Sequence, residues 1–290
     1  MRTAVMTDSN SGITKIEAEE MGIFLIAMPV IIDGETHFEG QNLTQESFYQ
    51  SLINGKDIST SQPAPGFVME MWNQILESGY DQVVYIPMSS GLSNSCETAV
   101  SLSREFDGKV CVVDNHQISI PMRESVLDAV DMAKDGKSAE EIRRKLEDSA
   151  YDSSIYIAVD TLEFLKKGGR ITPAGAALGA VFNVKPILTI QGEKLDAYAK
   201  VRGMKKCRHK MIEAVKNDLN TRFQSVDRSR IVIGTAGAGL SREEEEQWKN
   251  EVADAFPQME VYYNPLAVCI GSHVGPGAVG TAICVKNRSN

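Results

Sequence analysis

The sequence predicts an α/β protein: a three-layer α/β/α domain with a mostly parallel sheet, then a second, two-layer α/β domain with a mixed sheet. Three observations carry this. Short apolar runs alternate with helical patterns through the first half of the chain, the order that builds parallel sheets. After the strand at 155–159 the texture changes, and a hairpin with clean alternation of apolar and polar residues follows. Finally, 290 residues with 42% hydrophobic content give two domains enough material for a core each. The boundary is expected between domains 1–152 and 153–290.

The first unit is a strand at residues 3–6, a loop Thr7-Asp8-Ser9-Asn10-Ser11-Gly12 and a helix at 14–21. The apolar run 23–32, broken by Pro29, reads as a strand leaving the sheet, and Asp33-Gly34 marks a hairpin turn. Thr44 caps a helix with Phe48, Tyr49, Leu52 and Ile53 at helical spacing. Residues 57–66 read as a rigid loop containing Ser59, Thr60 and Ser61, after which Pro65 opens a helix bearing Val68, Met71, Trp72 and Ile75. Residues 83–86 form a strand that meets Ser89-Ser90-Gly91-Leu92-Ser93-Asn94-Ser95 and then a helix with Cys96, Ala99, Val100 and Phe106 on one side. Asn94 and Glu97 have the spacing of a helix cap. A strand at 110–113 and two helices, the second capped by Ser138 with Glu141, complete the domain.

The second domain opens with a strand at 155–159. Residues 161–171 read as one or two helical turns stopped by Gly168-Gly169, with Arg170 beyond. Residues 174–182 are small and apolar. Strands at 185–190 and 194–201 flank Gln191-Gly192-Glu193, with Leu195, Ala197, Ala199 and Val201 on one face. A charged helix at 204–222, a strand at 231–235, a helix at 241–256 and strands at 260–263 and 281–285 follow.

The formal charge of −9, without a basic block, argues against nucleic acid and anionic surfaces as partners, so any anion must be held locally. The five cysteines, Cys96, Cys111, Cys207, Cys269 and Cys284, show neither zinc spacing nor a disulfide framework and read as reduced, buried thiols. No metal site and no cofactor are expected. No apolar run approaches the ~18 residues that span a bilayer, and the expected location is the cytoplasm.

Candidate site residues come from loops. Serine-rich turns before helices are commonly only caps, yet residues 89–95 set hydroxyls where free N–H groups of a helix start can hold an anion. Thr60-Ser61-Gln62-Pro63 is ordinary turn chemistry, but it precedes a helix of the same domain, and ligands of open α/β sheets sit at the carboxyl ends of strands. Ser9, after the first strand, could reach the same edge. Arg170 is a solvated charge by default, although a guanidinium can grip a carboxylate with two parallel bonds. His273 lies in Gly271-Ser272-His273-Val274-Gly275-Pro276-Gly277, expected to be a tight loop. Arg202, at the hairpin's end, could line the same cleft. Nucleophile-elbow spacing is lacking, and the set suits holding an anion better than breaking a bond.

Thr60-Ser61-Gln62-Pro63, Ser89-Ser90-Gly91-Leu92-Ser93, residues 161–171, Lys185-Pro186-Ile187-Leu188 and residues 273–280 resemble, in this order, the motifs of the bacterial DegV family. The resemblance runs from Thr7-Asp8-Ser9 nearly to the C-terminus. It implies a DegV-like two-domain fold that binds one long-chain fatty acid in an apolar tunnel, as the fatty-acid-binding subunit of a bacterial fatty acid kinase. By motif, the carboxylate-binding residues are Thr60, Ser61, Ser93, Arg170 and His273, with Ser9, Gly91 and Arg202 as additional candidates. It further implies a separate kinase subunit, related to dihydroxyacetone kinases, that makes an acyl phosphate for phospholipid synthesis, with transient lipid exchange at the membrane. Two segments depart from the family pattern: Asn94-Ser95-Cys96, and Asp114-Asn115-His116-Gln117-Ile118-Ser119-Ile120-Pro121. The rival readings are a phosphotransferase or hydrolase acting through Ser93 and His273, and a lipid-dependent sensor.

Overall fold

The computed structural model describes residues 1–178 and 184–288. Strand β1 (Thr3–Asp8) is buried along its whole length, as a strand covered on both faces must be. Helix α1 (Lys15–Met21) begins at a capping box between Thr14 and Glu17 and stops at Gly22 in the left-handed conformation. Pro29 splits the apolar run into β2 (Phe24–Ile26), which pairs with β1 in parallel, and β3 (Pro29–Ile32), which leaves the sheet. The Asp33-Gly34 turn, with φ of 51° and 87°, returns the chain as β4 (Glu35–Phe38). Helix α2 (Gln45–Ile53) is capped by Thr44. Residues 57–66 are not wholly a loop: β5 (Ile58–Thr60) pairs with β3 and completes a small antiparallel sheet. The pairing is tertiary, and it buries Ile58 while Ser59 faces outward.

Helix α3 (Pro65–Glu77) carries Pro65 at its first position and buries Val68, Trp72 and Ile75. After β6 (Gln82–Ile86) comes α4 (Ser95–Ser103), where two expectations fail. Asn94 has helical backbone angles and makes no side-chain cap; Ser93 Oγ accepts instead from Ser95 N at 3.2 Å. Val100 points outward, while Cys96 and Ala99 are buried. Strand β7 (Val110–Val112), helix α5 (Ser119–Lys134) and helix α6 (Ala139–Asp148), with its Ser138–Glu141 capping box, follow. The parallel sheet has the order β2-β1-β6-β7. Val5, Val84 and Ile86 face one helical layer containing Ala18, Val126, Ala129 and Ile142. Ala4, Met6, Val83 and Tyr85 face the other, containing Val68, Trp72, Cys96 and Ala99. The period of two along each strand thus yields three layers.

Strand β8 (Ser153–Ala158) leads to α7 (Glu163–Gly168), ended by left-handed Gly169, and to α8 (Pro173–Ala176). Of the small apolar stretch 174–182, residues 179–182 lie outside the described residues. The hairpin strands are β9 (Val184–Ile190) and β10 (Asp196–Arg202), so the connection is longer than Gln191-Gly192-Glu193, and the register shifts between Ala197 and Ala199. Then come α9 (Met204–Asn220), β11 (Ile231–Gly237), α10 (Arg242–Ala255), β12 (Glu260–Tyr263), α11 (Val268–Val274) and β13 (Val279–Val285). Helix α11 replaces the expected tight loop around His273. A Cβ on Gly271 would stand 2.4 Å from Tyr49 Oη, so that glycine serves close packing on α2.

The mixed sheet has the order β10-β9-β8-β13-β11-β12. One face packs on α9 and α10 through Met211, Val215, Trp248 and Val252. The other face, with Ile157, Leu188, Val232, Ala236 and Ala282, shares one apolar cluster with Val30, Phe48, Met88, Ile118 and Ile120 of the first half. The C-terminal end fastens this contact. Arg288 meets Glu124 at 2.5 Å and Asp128 at 2.8 Å, both carboxylates being buried on α5, and Tyr262 donates to Glu124 at 2.8 Å. Removing the cation strands two buried carboxylates, so Arg288→Ala is expected to cost about 3–5 kcal/mol in urea unfolding; a loss below about 1 kcal/mol, the range of exposed pairs, would contradict the burial argument.

Candidate functional site

A cavity of about 450 Å³ lies between the inner face of the mixed sheet and the loops at the carboxyl ends of the four parallel strands. Those loops contribute Asn10, Met28, Met88, the segment from Ser90 to Asn94, and Ile118 to Pro121. This is the edge where open α/β sheets place ligands, and the volume falls within the ~300–1,000 Å³ of small-molecule sites. Most of the wall is apolar, including Leu92, Ile155, Ile157, Leu165, Ile190, Leu266 and Ala282.

Part of the polar lining gathers in one cluster. His273, in the last turn of α11, has its Nε2 2.9 Å from Thr60 Oγ1 at the end of β5. Glu39 holds that helix from its other end, accepting from Val268 N at 2.9 Å and from Gln45 Nε2 at 2.5 Å. Gly168 ends α7 against the imidazole, where a Cβ would stand 2.2 Å from His273 Nδ1. The chain turns at Gly169 and brings back Arg170, whose Nε donates to Leu92 O at 3.2 Å and whose Nη1 donates to Gly168 O. Burial, reinforced by the Arg170 guanidinium, pushes His273 down from 6.5 to about 4. The imidazole is therefore neutral at neutral pH, beside one fixed positive charge.

Thr60, Ser61, Ser93, Gly91, Arg170 and His273 all line the cavity. Gly91 also permits a close approach: Ser89 Oγ donates to Gly192 O at 2.7 Å, and a Cβ on Gly91 would lie 2.8 Å from that oxygen. Two residues fall elsewhere. Ser9 enters a 3-10 turn and accepts from Met28 N at 3.0 Å, bracing the loop from outside the lining. Arg202 is exposed at the end of β10, an edge strand, and is not among the residues lining the cavity.

Three participants escaped the sequence reading. Asn10 is the lining residue of the first loop; its Nδ2 lies 3.1 Å from Met88 Sδ, and its Oδ1 has no hydrogen-bond partner among the described residues. Beneath it, Asp8 accepts from Asn10 N and Met88 N, each at 2.8 Å, and burial raises its carboxyl to about 6. Lys194, exposed on the hairpin connection, adds a second cation to the lining. The strand-end rule selected loops that line the cavity, but which side chain turns inward depends on the turn geometry. Among the described residues no group of His, Cys, Asp and Glu could hold a metal.

The depressed His273 value has a consequence for stability. The unfolded chain takes up a proton near pH 6.5 and the folded one only near 4, so stability present above 6.5 is lost as pH falls through that window, by roughly 3 kcal/mol. Urea unfolding at pH 7 and pH 4 should show this component in the parent and lose it in His273→Gln. A His273 resonance titrating near 6.5 in the unliganded protein would refute the burial of the ring.

The family model described as "Uncharacterised protein, DegV family" matches residues 2–286. A DegV domain-containing protein of Deinococcus radiodurans is 31% identical over 284 residues, 98% of each chain. Among solved structures, a DegV family protein from Thermus thermophilus, described by its fatty acid binding, superposes with a TM-score of 0.87 at 30% identity, covering 98% of this chain and 100% of its own. DegV of Bacillus subtilis, described as a fatty acid binding protein, gives 0.85 at 29% identity, covering 99% and 100%. The chain belongs to the DegV family.

Proposed function

We propose that this protein binds one long-chain fatty acid in the cavity, with the carboxylate at Thr60, Ser61, Ser93, Arg170 and His273, and presents that carboxylate to a separate kinase subunit for conversion to an acyl phosphate. The observation that carries the reading is the pairing of a largely apolar cavity of about 450 Å³ with a single cluster of hydroxyls, one guanidinium and one neutral imidazole. Each buried methylene contributes about 0.8 kcal/mol, so the chain supplies affinity. A carboxylate taken out of water needs hydrogen bonds and a countercharge, and this cluster has both kinds of group. The fatty acids bound by the Thermus and Bacillus relatives support the ligand class.

In this reading the chain breaks no bond itself and needs no cofactor. His273 Nε2 is engaged by Thr60 and Ser93 Oγ by Ser95 N, which favours Ser93 as a head-group contact over a base-activated nucleophile. The division into domains 1–152 and 153–290 belongs to the same proposal, supported by one major sheet lying on each side of it. Among the described residues no helix is long and apolar enough to cross a membrane, in keeping with a carrier that exchanges lipid transiently.

Mass spectrometry of lipid extracted from the native protein should identify a long-chain fatty acid. Adding a kinase subunit of the dihydroxyacetone-kinase type and ATP should convert that acid to its acyl phosphate. Absence of acyl lipid from the native protein, with no binding of added fatty acid, would overturn the ligand; binding without kinase-dependent phosphorylation would overturn presentation.

A further inference from the structure

One buried polar side chain of the lining lies apart from the cluster around His273. Asn10 is fully buried and belongs to the cavity wall, yet its Oδ1 has no partner among the described residues. Its Nδ2 lies 3.1 Å from Met88 Sδ, a thioether and therefore a weak acceptor. A carboxamide offers two donors and an oxygen with two lone pairs, and leaving that oxygen unpaired in the interior is costly. A native protein keeps such a group where something else comes to satisfy it.

The chain commits a buried carboxylate to holding this amide in place. Asp8 accepts from Asn10 N and from Met88 N, each at 2.8 Å, and so ties the loop after β1 to the loop after β6. Ser9 Oγ accepts from Met28 N at 3.0 Å, which brings a second methionine of the lining to the same loop. Cys269, also in the lining, interacts with the Asn10 side chain. It stands one turn before His273 on α11, so the amide lies about 5.4 Å from the imidazole along that helix.

Resting on the fatty-acid reading above, we infer that Asn10 is a binding site for a hydroxyl group on the acyl chain, and that the ligand class extends to hydroxylated long-chain fatty acids. A hydroxyl both donates and accepts, so it can donate to Oδ1 or take the place of the thioether at the amide N–H groups. A methylene at this position leaves the oxygen unsatisfied, and an anion meets an unpaired carbonyl oxygen there. The atom to be displaced is Met88 Sδ, in an unbranched side chain that repacks readily. With the carboxylate at His273, a group one helical turn away meets the half of the chain nearer the carboxylate.

The test measures binding of saturated fatty acids of one length, unsubstituted or carrying a single hydroxyl at successive carbons, to the delipidated full-length protein. In the parent, isomers hydroxylated at one position in the carboxyl-proximal half should bind about tenfold more tightly than the other isomers, the worth of one buried hydrogen bond. Asn10→Leu, which leaves the backbone bond to Asp8 in place, should make the isomers equal; if it does not fold, Asn10→Ala takes its place. A parent in which every hydroxylated isomer binds more weakly than the unsubstituted acid, with no preferred position, would overturn the hydroxyl site and leave the fatty-acid reading standing. So would a preference that survives the loss of the amide. A parent that binds no fatty acid, hydroxylated or not, would overturn both.

Discussion

The inner face of the mixed sheet is the constraint on which the rest depends. Its outer face is covered by α9 and α10 from its own half, whereas the inner apolar surface is covered by residues from both halves. Val30, Phe48, Met88, Ile118 and Ile120 close over it, and Arg288 binds Glu124 and Asp128 beside that contact. The cover is assembled from parts of several elements and strand-end loops, and it leaves some of the sheet's surface unfilled. The small residues Ala236, Gly280 and Ala282 leave room beneath it, and the cavity is the space that remains.

Such a space attracts an apolar ligand, and its polar cluster restricts what the ligand's end can be. A carboxylate placed there meets one formal cation, Arg170, and a His273 that burial keeps neutral until a negative charge arrives to favour its protonated form. The two elements that supply the imidazole and its partner come from opposite halves of the chain. Thr60 ends a strand of the small sheet and His273 ends α11, which Glu39, from the first half, secures at its start. The polar cluster therefore assembles only when the halves pack together.

Much of this was legible in the residues. The cap at Thr44, the capping box at Ser138 and the Asp33-Gly34 turn state their structures locally, and the structure follows them; the hairpin forms, but its register shift puts Leu195 on the opposite side of the sheet from Ala199 and Val201. What failed was decided by distant contacts. Ile58–Thr60 becomes a strand because β3 offers an edge, and Val268–Val274 becomes a helix although Gly271 and Gly275 look like loop formers. Gly271 is needed where Tyr49 crosses α11, a reason invisible without the fold. Of the site, the motif residues Thr60, Ser61, Ser93, Arg170 and His273 converge, whereas Ser9 and Arg202 do not and Asn10 and Lys194 appear in their place. A motif marks the segment, but turn geometry and register choose the side chain that faces inward.

The central claim, one acyl chain lying across the mixed sheet with its carboxylate at the Arg170–His273 end, is tested most directly by a crystal structure of the protein with a bound fatty acid. The account predicts continuous acyl density over Ile190, Ile155 and Ala282, with both carboxylate oxygens within hydrogen-bond reach of the cluster formed by Thr60, Ser93, Arg170 and His273. A chain lying outside this cavity, or one reversed so that its carboxylate lies away from that cluster, would contradict it.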